Sequence, residues 1–229
     1  MCVICTGEDI SNKTRLSLSG CTKLTHLPEH LPAGLETIVC NGCPGLARLP
    51  ERLPENLEIL YCRDCTGLTR LPDYLSNPLP ESLKYLDFEG CTGLTCLPER
   101  LPENLEALCC RGCTSLAHLP ESLPEGLAYI DCYGCTGLTR LPDSLPEGLK
   151  ILNCYGCKGL ANLPERLPAS LQELDCARCT SLTRLPESLP ERLRDLNCEG
   201  CTGLTHLPDH LPKSLEHLNC EGCTSLLEH

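Results

Sequence analysis

The chain repeats itself every 22 residues, and that period constrains its fold more than any other property. Units open at Lys13, Leu35, Leu57, Leu83, Leu105, Leu127, Leu149, Leu171, Leu193 and Leu215, the first degenerate and the last incomplete. One interval departs: Leu57 to Leu83 spans 26 residues, with four added near Ser76–Leu79. A unit this short cannot bury an apolar face alone and must stack on its neighbours. The period therefore predicts one elongated solenoid over residues 13–226. Residues 1–12 precede it as a short segment. The terminal Leu227-Glu228-His229 reads as the remnant of an expression tag, which points to a chain cut from something longer.

Within the unit Leu127–Gly148, LAYIDCYGCTGLTRLPDSLPEG, apolar residues fall at positions 1, 4, 6, 9 and 12. The alternation around positions 4 to 6 fits a short strand with one inward face, and stacked copies pair into a parallel sheet. The second half carries Pro142 and Pro146. Proline fixes φ and removes a donor, so this half predicts extended polyproline-II or turn backbone, not helix or central strand. Gly, Asn or Ser closes most units (Gly34, Asn56, Ser82, Asn104, Gly126, Gly148), where the chain turns back.

The pattern LxxLxCxxCxxLxxLPxxLP resembles the leucine-rich-repeat family over residues 13 to 226. Its LPxxLP half is similar to repeats of secreted bacterial effectors that act inside host cells. The stretch L-x-x-L-x-C-x-G-C-T-x-L-x-x-L-P is similar to repeats of plant intracellular immune receptors. The resemblance implies a leucine-rich-repeat solenoid: a helix-poor α/β-class horseshoe with parallel strands on the concave face and polyproline-II or turn segments on the convex one. It also implies a non-catalytic protein-interaction module that holds its partner on the concave face. Some bacterial relatives carry a separate C-terminal ubiquitin-ligase domain, so a substrate-recognition arm of a larger effector is the alternative it offers. Two departures stand out. Cysteine replaces the usual aliphatic residue at position 6 and the usual Asn at position 9, and the helical N-terminal cap of the effectors is not evident.

Composition narrows the partners. One Phe and no Trp rule out a large aromatic core, leaving a row of Leu and Cys to fill the coils. The net charge of −12 is spread along the chain, and without a concentrated basic surface nucleic acid is not an expected partner. No apolar run reaches membrane-spanning length, and Glu8 and Asp9 break any signal-peptide pattern at the start.

Cysteine occupies position 9 in all ten units, from Cys21 to Cys223, and position 6 in eight, with Leu18 and Phe88 the exceptions. Three readings are open. Buried thiols pack as small hydrophobes, and a position-9 thiol can donate to a neighbouring carbonyl as Asn does in the family. In-row disulfides would be strained, because parallel strands stand about 4.8 Å apart whereas bridged Cβ atoms want about 3.8 Å. Two adjacent Cys-x-x-Cys coils would supply four thiolates for zinc, but the repetition without any inward His favours a packing ladder. We take the packing reading, with no cofactor and a metal or redox role as the alternative. Many reduced thiols place the protein in a reducing compartment such as the cytoplasm, which by resemblance includes a host cytosol.

Positions 3, 5 and 7 should project from the concave sheet, and five of the six tyrosines fall in these columns. Tyrosine beside exposed apolar residues is the make-up of an interface hot spot. The candidate partner-binding set is Ile59, Tyr61, Arg63, Tyr85, Asp87, Arg111, Tyr129, Asp131, Tyr133, Ile151, Tyr155 and Asp175, with Val39 as a further exposed apolar residue. Beyond the tyrosines the columns turn acidic through Glu173, Asp175, Asp195, Glu199 and Glu221, a flank that would steer a basic segment of a protein partner. On the outer rim, basic residues or His at position 14 and acidic residues at position 17 are expected to compensate each other within one turn, as a solvated face. Nine equivalent carboxylates argue against one acid–base site, and no Cys stands apart with a His and an acid, so no enzyme is expected. The terminal coils, lacking a polar cap, would favour weak self-association.

Overall fold

The structure, a computed structural model, describes residues 3–71 and 79–226. The added residues of the long repeat as far as Pro78, and Leu227–His229, lie outside that range. Ten three-residue strands follow in chain order: β1 Arg15–Ser17, β2 Thr37–Val39, β3 Ile59–Tyr61, β4 Tyr85–Asp87, β5 Ala107–Cys109, β6 Tyr129–Asp131, β7 Ile151–Asn153, β8 Glu173–Asp175, β9 Asp195–Asn197 and β10 His217–Asn219. Each occupies positions 3 to 5 of its unit, and they pair in sequence order into one parallel sheet. Parallel strands need a crossover, and the proline half of each unit provides it. The long repeat does not disturb the register, since Ile59, Leu60 and Tyr61 face Tyr85, Leu86 and Asp87 directly.

Position 4 turns inward. Leu16, Ile38, Leu60, Leu86, Leu108, Ile130, Leu152, Leu174 and Leu196 are buried, and the leucines at positions 1 and 12 fill the coil beneath them. Burying one such side chain contributes about 1.5–3 kcal/mol, so each coil is held by its row. Phe88 replaces Cys at position 6 and is fully buried. The prolines lack a donor, but their carbonyls close the turn: Leu127 N donates to Pro124 O at 3.1 Å and Leu149 N to Pro146 O at 3.0 Å. Unit-closing residues also bond backwards. Ser82 Oγ reaches Leu57 O at 2.7 Å and Asn104 Nδ2 reaches Glu81 O at 2.9 Å, each tying a coil to the one before.

The cysteine rows are buried and reduced from Cys40 onward, apart from the half-buried Cys220 in the last coil. Position-9 thiols do more than fill space. Cys43 Sγ donates to Leu18 O at 3.2 Å, Cys65 to Cys40 O at 3.0 Å, Cys135 to Cys110 O at 2.9 Å, and the pattern continues to Cys223 on Cys198 O at 2.9 Å. Each rung satisfies a buried carbonyl of the preceding coil, the office that Asn performs in the family pattern. Among the described residues no three thiol sulfurs lie within 4.8 Å of one another. Burial pushes the Cys43 thiol up to about 11 and lifts Cys179 and Cys198 well above the usual range.

Three expectations are corrected. Residues 1–12 do contain a cap: α1, Val3–Thr6, a single helical turn whose Val3 and Ile4, with Ile10 beyond it, pack against the first coil. No amphipathic period announces a helix this short. On the rim, the charges pair between coils instead of within one. Arg48 meets Glu29 and Arg140 meets Glu121, at 3.8 and 2.5 Å, and Arg184 meets Glu165, always position 14 against position 17 of the preceding unit. The crossover brings those positions side by side one coil apart, closer than an extended turn brings residues three apart. Val39, finally, is buried and not exposed, because its short side chain pairs in register with the much longer Tyr61.

Candidate functional site

Position 5 organises the concave face. Its Asp or Asn side chain accepts the backbone N–H two residues on, at position 7: Asp87 from Glu89 at 3.0 Å, Asp131 from Tyr133 at 3.0 Å, Asn153 from Tyr155 at 3.0 Å and Asp175 from Ala177 at 2.9 Å. These Asx turns fix where the position-7 side chain emerges. The chain then passes through position 8 with positive φ, which glycine adopts without strain, as Gly134 does at φ 69°. Two coils place other residues there, Asp64 at φ 54° and Arg178 at φ 57°.

Seven residues of the sequence-derived set line one shallow depression of about 220 Å³: Tyr61, Arg63, Tyr85, Asp87, Arg111, Tyr129 and Asp131, with Leu86, Glu89, Ala107 and Cys109. Its floor is electrostatic. Arg63 Nε donates to Asp87 Oδ2 at 2.6 Å, and Arg111 Nε lies 2.9 Å from Asp131 Oδ2, with its N–H not directed at the oxygen. Asp131 also accepts from Tyr129 Oη at 2.7 Å, and burial together with this bond raises the phenol's pKa. Tyr85 Oη donates to Glu106 Oε2 at 3.0 Å. Asp87 and Asp131 are therefore not surface contacts of the kind the columns implied; both carboxylates are buried beneath arginines. A buried carboxylate needs such a partner, since removing it from water unpaired costs several kcal/mol.

Beside the depression runs a stack. Tyr133 and Tyr155, one coil apart at position 7, lie ring on ring at 4.7 Å with planes 4° apart. Arg111 covers the outer face of Tyr133, and Arg178 that of Tyr155, each with its guanidinium carbon 5.6 Å from the ring centroid. The in-register spacing of parallel strands produces this column directly. Cation–π contacts of this kind contribute about 0.5–1 kcal/mol each where exposed. Since the faces cover one another, a ligand meets ring edges and hydroxyls; Tyr133 is the most exposed at 44%. Ile59 and Ile151 are half-buried among these columns, and Asp175, half-buried too, sits at the start of the acidic flank.

Sequence reasoning did not select Glu89, Glu106, Cys109 or Arg178. Arg178 carried a signal, since it stands where eight other coils have glycine. Glu89 and Cys109 join Asp87 with donor atoms within 4.8 Å of one another, a spacing compatible with a cation. Arg63 already neutralises Asp87, however, and burial holds the Cys109 thiol at about 12, protonated at neutral pH. A cation would have to displace the guanidinium. A larger groove of about 610 Å³ lies on the proline side, lined by Leu145, Asn162, Pro164, Arg166 and Pro168 among others, away from the tyrosines.

Repeat length, in-register parallel strands, inward leucines and helix-poor crossovers define the class: the chain is a leucine-rich-repeat solenoid, with repeats resembling those of bacterial effectors. Its coils superpose on the leucine-rich-repeat domain of the type III effector XopL with a TM-score of 0.68 and 28% identity, over 82% of this chain and 69% of that one. A leucine-rich-repeat protein from Bacteroides ovatus aligns at 20% identity over 93% and 81% of the two chains, TM-score 0.36. YopM from Yersinia pestis aligns at 19% over 91% and 88%, TM-score 0.32. No protein-family model and no curated protein sequence matches the chain. Among the described residues no helix is long and apolar enough to cross a membrane.

Proposed function

We propose that this chain is a non-catalytic protein-interaction module that holds an extended, basic segment of another protein along its concave face. The observation that carries the reading is the convergence of Tyr61, Arg63, Tyr85, Arg111 and Tyr129 in one depression, continuous along the coils with the Tyr133–Tyr155 stack. Tyr133 and Tyr155, pre-set by Asx turns and stacking, and Arg63 and Arg111, held against buried carboxylates, lose little freedom on binding and suit a hot spot. The C-terminal flank supplies the charge. Glu173 and Glu221 are exposed beyond the stack, so a partner's Lys and Arg would meet carboxylates there. The reduced cysteine rows fit a protein that works in a reducing compartment.

The test is selection from a random peptide library on the immobilised protein. Enriched sequences should carry clustered Lys or Arg, and their affinity should fall as salt rises. Changing Tyr129, Tyr133 and Tyr155 together to Ala should weaken the selected peptides at least about tenfold, the loss of a single hot-spot residue being worth that much, while the circular dichroism spectrum stays unchanged. Acidic or charge-neutral winners, or undiminished binding by the triple variant, would overturn the reading.

We further propose weak self-association through the last coil, where β10 is an edge strand and Leu211 and Leu218 are exposed. Sedimentation should show a concentration-dependent dimer that Leu218→Lys removes; a monomer at all concentrations would refute it.

A further inference from the structure

Two cysteines outside the buried ladder's interior meet at its N-terminal end. Cys21 opens the position-9 row and is half-buried, with the cap instead of another coil on its open side. Cys5, on α1, is exposed, and its Sγ stands 3.4 Å from Cys21 Sγ. The contact joins two elements that otherwise touch through Val3, Ile4 and Ile10 alone among the apolar residues of the cap. Both side chains point at each other across this junction, so a bond of about 2.05 Å requires an approach of roughly 1.4 Å, within the reach of χ1 adjustment on a one-turn helix. The ladder proper has no such freedom. Its thiols are buried just past strands whose spacing is fixed by the sheet, and those at position 9 donate to carbonyls.

We propose that Cys5 and Cys21 form a redox clamp, a disulfide that fastens the N-terminal cap to the first coil when the protein meets an oxidising thiol pool. With glutathione disulfide as oxidant, the exposed Cys5, as thiolate, attacks one sulfur of that disulfide and releases one glutathione thiolate, leaving a mixed disulfide on Cys5. Cys21, as thiolate, then attacks the Cys5 sulfur and expels the second glutathione. Two protein thiols are oxidised to one disulfide, one glutathione disulfide is reduced to two glutathiones, and the two thiol protons pass to the released thiolates. The product closes a short loop and ties α1 to the first coil, the one that carries β1.

The protein contains convenient cleavage points for the test. Trypsin cuts after Lys13, Arg15 and Lys23, leaving Cys5 on peptide 1–13 with Cys2, and Cys21 on peptide 16–23. After incubation of the whole chain with glutathione disulfide and alkylation of remaining thiols, these two peptides should appear joined. They should remain joined in Cys2→Ser and be separate in Cys5→Ser and in Cys21→Ser. The buried ladder thiols between Cys43 and Cys201 should accept the alkylating reagent only after unfolding, whereas the exposed Cys96 reacts in the folded protein. In the oxidised protein, hydrogen exchange at the Leu18 amide should slow roughly tenfold or more, since a loop of this size restricts opening of the first coil. Stable glutathionylation of Cys5 without a joined peptide, or a joined peptide lost in Cys2→Ser, would overturn the proposal.

Discussion

A single buried thiol in this chain has two duties, and substitutions can separate them. Cys157 Sγ fills a coil and donates to Cys132 O at 3.0 Å. Cys157→Ala deletes both the volume and the donor and should cost about 1–2 kcal/mol, from a small cavity plus an unsatisfied carbonyl. Cys157→Ser restores a stronger donor and should cost less than the alanine, as read from denaturation midpoints; the reverse order would make the ladder mere packing. Asp175 offers a second residue-scale test. Desolvation raises its pKa above the ordinary carboxylate value. With the folded-state pKa above the unfolded one, its contribution is fully present below the unfolded pKa and is lost as pH rises through the folded one. Asp175→Asn keeps the acceptor for Ala177 N, as Asn153 and Asn197 show at the same position. It should therefore melt higher than the parent at pH 7, with the difference closing as pH falls into the carboxylate range. A gap independent of pH would assign the stabilisation to something other than charge.

At the scale of the element, each strand-and-turn segment pays for its sharp reversal at position 8. Arg178→Gly should relieve a left-handed residue worth about 1–2 kcal/mol yet uncover the face of Tyr155. The variant should be more stable to denaturant but bind the selected peptides less well; equal binding would leave Arg178 without a role in recognition. The strands themselves were legible in the sequence, because LxxLxC fixes which residues turn inward and the 22-residue period fixes the register. The tyrosine column followed from the same arithmetic. What could not be read was depth. Asp87 and Asp131 share a column with the half-buried Tyr61, and only the bend of Arg63 and Arg111 over them decides that they are floor and not rim. The short helix α1 escaped too, since four residues leave no period to detect.

The whole molecule is a line of nearest-neighbour contacts, so its stability should vary along its length. The central coils are sheltered on both sides, whereas β10 leaves Leu218 39% exposed at one end. Hydrogen exchange is expected to be slowest at the amides of Cys110 and Cys132 and fastest at His217, which has a strand neighbour on one side only. Uniform protection would instead mark a single all-or-none unit.

The rungs of the thiol ladder all run the same way, each S–H pointing towards the N-terminal side. A coil therefore arrives with one plug and one socket, and removing it leaves its two neighbours able to couple to each other. Gene segments encoding one unit can be lost or duplicated without stranding a donor or an acceptor anywhere in the interior. Excising residues 105–126 should accordingly yield a shorter protein that still folds, and the reach of its curved face becomes a matter of counting units.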